Sequence, residues 1–124
     1  MENNLKDYIE ANIPELSGHM YPVMVVAPEE GINVAYTFTD ISADHLNQSQ
    51  LTLNVICDDY DSGMEIHRKI QSILAMEEDE PFVVFGNVRF RSRLSSGGGR
   101  IYNEEIQKWE LSKYYIIDWR MKNV

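Results

Sequence analysis

The feature that most constrains this chain is a repeated switch in the period of its apolar residues. Ile32, Val34, Tyr36 and Phe38 alternate with polar Asn33, Thr37 and Thr39, and Leu51, Leu53, Val55 and Cys57 alternate with Thr52 and Asn54. A period of two puts alternate side chains on opposite faces, so both stretches read as half-buried strands. Between residues 64 and 74 the spacing becomes three and four, through Met64, Ile66, His67, Ile70, Ile73 and Leu74. That stripe predicts a helix covering a sheet. Alternation then returns. Phe82, Val84, Val88 and Phe90 share one face of a strand over 82–94, with Gly86 between them. Trp109, Leu111, Tyr115, Ile117 and Trp119 share one side of another over 107–120.

The punctuation between these stretches sets the order of elements. Leu5, Tyr8, Ile9 and Ile13 predict a short first helix, capped by Asn3 or Asn4 and stopped by Pro14. Gly18 and Pro22 mark a link through His19, Met20 and Tyr21, and Pro28, Glu29, Glu30 and Gly31 mark a turn or loop. A polar loop through Ser42, Asp44 and Asn47 joins the first two strands, for which antiparallel pairing is the default. Asp58, Asp59 and Asp61 belong at a helix N-terminus, where free N–H groups and the dipole favour acid. Gly63, in the first turn, costs little there. The second helix is expected to finish near Met76, before the acids from Glu77 to Glu80 and Pro81. Ser95 to Gly99 predict a flexible tip, around 94–104, on a long C-terminal hairpin. The predicted fold is α+β, an α/β sandwich: an antiparallel sheet of about four strands with helices packed on one face. At 124 residues and 44% apolar, residues 1–124 read as a single domain with one core.

Chemistry-bearing residues are scattered. His19, His45 and His67 fall on three different elements, and His67 reads as a boundary residue of its helix. Cys57 cannot form an internal disulfide and falls on the inward side of its strand, the setting of an inert thiol. Asp58, Asp59 and Asp61 lack the ligand spacing of a calcium loop. The run Glu77 to Glu80 reads as a solvated turn. Ser95 to Gly99 lack the Lys-Ser/Thr ending of a phosphate-binding loop. The sequence therefore predicts no catalytic residues, no metal, no cofactor and no enzymatic activity. The polar start and the lack of a long apolar run predict no export signal and no membrane partner.

Charge is more informative. The net charge is −9, but residues 1–85 carry −13 and residues 86–124 carry +4. Such a split presents two complementary surfaces, which can meet within one fold or between copies. Arg89, Arg91 and Arg93 fall on one face of the 82–94 strand, roughly 6–7 Å apart. Arginine makes bidentate bonds to carboxylate or phosphate. Three readings stand: a nucleic-acid stripe, a docking site for acidic groups, or an exposed strand face with no role. The acidity of the remainder disfavours duplex binding and supplies a partner for the second reading. With Arg100 and Lys108, these arginines form the candidate subunit or partner interface.

The residue order also carries a resemblance. It includes His19-Met20-Tyr21-Pro22, a strand with Tyr36-Thr37-Phe38-Thr39, the strand Gln50 to Cys57, and Asp58-Asp59-Tyr60 leading into an amphipathic helix that closes at Leu74. A basic hairpin and a strand ending near Trp119 follow. This succession resembles the tail terminator, or tail completion (head–tail joining), proteins of long-tailed bacteriophages and prophages. The resemblance implies a non-enzymatic structural subunit of the virion neck, made in the bacterial host cytoplasm. It implies a homo-oligomeric ring, typically of six copies, from a chain monomeric in solution before assembly. Its partners would be the tail tube and head connector proteins, with DNA passing the lumen without specific binding. The hairpin from Arg89 to Lys108 would be its protruding arm. The alternative reading is a small acidic cytoplasmic binding or inhibitor protein.

Overall fold

The computed structural model describes residues 1–23, 31–43, 47–77, 80–96 and 98–121, the side chains of 42, 43 and 96 excepted. His45, the turn at Pro28 to Glu30 and the centre of the acidic run at 78–79 lie outside these residues. The elements in chain order are α1 (Glu2–Asn12), a 3-10 turn (Pro14–Leu16), β1 (Met20–Pro22), β2 (Ile32–Ala43), β3 (Asn47–Cys57), α2 (Tyr60–Leu74), β4 (Val83–Phe85), β5 (Val88–Ser96), β6 (Arg100–Asn103) and β7 (Lys108–Met121).

The alternating stretches are strands, but the expected four-stranded antiparallel sheet with helices on one face is overturned. The sheet has seven strands in the order β1-β2-β3-β7-β5-β4, with β6 also on β7, and it is mixed because β1 runs parallel to β2. It curls into a half-barrel, and one helix packs on it. Local residues account for the three additional strands. Met20 to Pro22, read as a link, pairs with Val34 to Tyr36. The single strand expected over 82–94 breaks at Gly86, whose φ of 61° opens a tight turn, so that β4 folds back on β5. Residues 100–103, read as loop, add to β7.

Register fixes the two faces. β2 pairs with β3 from Ile32↔Cys57 to Asp40↔Ser49, and β3 pairs with β7 from Cys57↔Trp109 to Asn47↔Trp119. Val34, Tyr36, Leu51, Leu53, Val55, Cys57, Phe90, Leu111, Tyr115 and Ile117 therefore share one buried face. Against it α2 sets Ile66, Ile70 and Leu74. Its cap is Asp59, whose carboxylate accepts from the Ser62 amide at 3.1 Å. Gly63 is the point of closest approach: a Cβ there would stand 2.4 Å from Cys57 Sγ and 2.8 Å from Leu111 Cδ1. The glycine is thus required by packing, against the sequence reading that it costs little.

At the margin of the core, α1 buries Leu5 and Ile9 and sets Tyr8 edge-on to Phe85 and Phe90. Its N-cap is Met1 without a side-chain hydrogen bond; Asn4 instead donates to Asn87 at 3.1 Å. Pro14 stops the helix as expected, since α1 ends at Asn12 and Ile13 is extended. His67 is enclosed and shares a 2.7 Å hydrogen bond with Leu111 O through Nε2, while its Nδ1 has no partner among the described residues. Burial pushes its pKa down, and pushes the buried Tyr115 phenol up to about 12.

Candidate functional site

The face of the sheet turned away from α2 carries the charged side chains of β5. Val88, Phe90 and Ser92 point into the core, so Arg89, Arg91 and Arg93 stand together on the other side, as their alternation predicts. They do not form a uniform ladder. Arg93 donates to Asp118 Oδ2 at 3.0 Å, and Asp118 also accepts from Gln48 Nε2 at 3.0 Å. The Arg91 guanidinium lies 5.4 Å from the centre of the Phe82 ring. Arg89 sits opposite Arg120 on β7 and makes no ion pair with a described residue. A cleft of about 320 Å³ opens beside them, lined by Met76, Glu77, Arg91, Ser92 and Arg93.

The same face continues as a polar network toward the far end of β7. Asn54 donates to Glu110 at 2.9 Å, Asn103 donates to the other Glu110 oxygen at 2.8 Å, and Ser112 donates to Asn54 at 3.0 Å. Sequence reading missed Gln48, Asn54, Glu110 and Asp118. Their spacing in the chain carries no sign that cross-strand pairing will bring them together.

Arg100 and Lys108 lie elsewhere, on the arm formed by β6 and the start of β7. Arg100 donates to the Tyr60 hydroxyl at 2.8 Å, and Lys108 donates to Asp58. The Lys108 ammonium, and after it the Gly31 amide, hold the Asp58 carboxyl below the usual carboxylate range. Tyr60 and Tyr102 each meet Trp109 edge-on, with ring centroids 5.1 and 5.2 Å apart. The arm is thereby braced on the N-terminus of α2.

The chain reverses at 104–107, where Asn103 pairs with Lys108 and Gln107 adopts a φ of 54°. The glycine run, where the sequence places a tip, lies between β5 and β6. There the register shifts, from Ser96↔Tyr114 to Arg100↔Leu111. Gly98, at φ 61°, is pressed against β7: a Cβ there would stand 2.2 Å from Ser112 O. Ile101 is 64% exposed and Tyr102 44%, and Ile106 in the turn is exposed as well.

Among the described residues no three His, Cys, Asp or Glu side chains are grouped to hold a metal ion, and no helix is long and apolar enough to cross a membrane. Acids also stand on the helix side of the molecule. Glu2, Asp7, Asp61 and Glu65 are exposed on the helices.

No family model matches the chain, and no curated protein matches it. Among solved structures, a chain of the virion of the native gene transfer agent (GTA) particle superposes with a TM-score of 0.59. The fold is shared with a virion component. The match covers 90% of this chain and 83% of that one, at 12% identity. The virion chain thus shares the architecture through most of its length, with few residues in common.

Proposed function

We propose that the chain is a non-enzymatic structural protein of a bacteriophage or prophage virion, a tail terminator that forms a ring between the tail tube and the head connector. The observation that carries this reading is the match in fold to a virion component over most of both chains. The layout of charge supports it. Arg89, Arg91 and Arg93 occupy the sheet face, α1 on the helix side carries Glu2, Asp7 and Glu10 against one base, Lys6, and a braced arm carries exposed apolar residues. A subunit with unlike surfaces on different sides suits head-to-tail contacts, which close into rings. In such a ring, acid turned to the lumen repels DNA phosphate, so that the genome passes without specific binding.

Light scattering and negative-stain microscopy, with and without tail tubes, test the proposal. A ring, or density added at tube ends, is expected. A monomer that never joins tube ends counts against it. Arg89→Glu is the cleanest probe of the arginine face. Arg93 already serves Asp118, whereas Arg89 faces Arg120. The variant is expected to keep its melting temperature and to assemble at least several-fold less well. Assembly equal to the parent's removes Arg89 from the interface.

A further inference from the structure

Among the described residues the sheet ends in two open edges that offer matching sets of backbone groups. On the arm, the Ser112 amide donates to Gly99 O at 2.9 Å, so Gly99 turns its polar groups toward β7. In an antiparallel pair this alternates. Ile101 and Asn103 also face β7, and Arg100 and Tyr102 aim N–H and C=O outward. No described residue pairs with that outer edge.

The opposite edge is β2. The Val34 amide donates to His19 O, and Tyr36 O accepts from the Val23 amide, each at 2.8 Å, so even-numbered residues here face outward to β1. β1 ends at Pro22, opposite Tyr36. Phe38 and Asp40, next in the alternation, aim their groups outward beyond it, and no described residue pairs with them. Each edge thus presents two outward residues, two positions apart in the chain, about 7 Å.

We propose that these edges are the two halves of one contact between copies: β6 of one copy adds antiparallel to β2 of the next, with Arg100 opposite Asp40 and Tyr102 opposite Phe38. The side chains decide both direction and occupant. Antiparallel pairing sets a guanidinium against a carboxylate and a tyrosine against a phenylalanine, both favourable cross-strand pairs. Parallel pairing sets Arg100 against Phe38 and Tyr102 against Asp40. All four residues lie on the face that α2 covers in their own subunit: Phe38 and Asp40 share it with Tyr36, and Arg100 and Tyr102 with Leu111. The joined sheets therefore keep their helices on one side. Edges left open usually carry charge or bulges that block addition. Here the two edge charges, Arg100 and Asp40, are of opposite sign, the register shift of β2 falls after Asp40, and the arm edge also exposes Ile101 and Tyr102. The contact joins unlike edges, so it propagates from copy to copy until it closes. The inference rests on the ring reading and specifies its interface.

The test uses the full chain carrying Thr39→Cys and Ile101→Cys, with buried Cys57 retained. In the proposed register these two residues form the pair without mutual hydrogen bonds, with Cα atoms about 4.5 Å apart, within reach of a disulfide. Mild oxidation at high protein concentration is expected to give a ladder of covalent multimers ending in one closed species. Neither single variant gives more than dimer. Adding Tyr102→Pro removes an outward N–H without touching a β7 bond, and is expected to abolish the ladder. Only monomer after oxidation, or a ladder that survives the proline, overturns the edge contact. Rings seen by microscopy without the ladder overturn it while sparing the ring reading. A ladder that grows without closing keeps the contact and removes the ring.

Discussion

At the scale of single residues, the tightest constraint is Gly63. The helix sits so close to Cys57 and Leu111 that one added methyl has no room. Overpacking of this kind costs about 1–3 kcal/mol, more than the roughly 1 kcal/mol that alanine gains over glycine in a helix. Gly63→Ala is therefore expected to lower the urea midpoint, with the slope unchanged. His67 sets a pH dependence. Burial, as the largest cause, holds its folded pKa below the unfolded value of 6.5, even though the bond to Leu111 O opposes the shift. The unfolded chain then binds a proton that the folded chain does not, so stability falls as pH drops below about 6.5. Thermal melts from neutral pH downward should show this fall in the parent. In His67→Gln the slope attributable to this group should vanish, whatever the cost of the exchange at neutral pH.

At the scale of elements, the arm depends on Gly98. A substituted residue would meet the Ser112 backbone and adopt a left-handed φ. Gly98→Ala is expected to loosen β6 from β7, seen as faster hydrogen exchange at the Ser112 amide, which bonds to Gly99 O. This element was only partly legible in the sequence. Alternation revealed β2, β3 and β7, and the spacing from Met64 to Leu74 revealed α2, because each buries a long continuous face. Strands of three or four residues, such as β1, β4 and β6, are too short for a period to show. Their pairing comes from long strands already in place. Likewise Arg89, Arg91 and Arg93 were visible as one face by parity alone. That Arg93 is held by Asp118, 25 residues on, follows from the register between β5 and β7.

For the molecule as a whole, Arg89, Arg91 and Arg93 on the sheet face and the acids Glu2, Asp7 and Glu10 of α1 form unlike surfaces. Contacts between exposed, unlike layers weaken as the Debye length falls from about 10 Å at 0.1 M salt to about 3 Å at 1 M. Assembly measured by light scattering is expected to decline across that range while the melting temperature of the single subunit changes little. The register of the arm carries one more consequence. From Leu94 to Arg100 the strand gains two residues on β7, one inside β5 and one between β5 and β6: Leu94 pairs with Tyr115, Ser96 with Tyr114 and Arg100 with Leu111. Two is an even number, so even positions regain the α2 side once the arm begins. The linking segment thus obeys a counting rule. Because the turn at 104–107 keeps Arg100 opposite Leu111, removing one residue from the linking segment would set the parity of β5 against that of the arm, whereas removing two would keep them in step. Natural variation in the length of this segment should come in pairs.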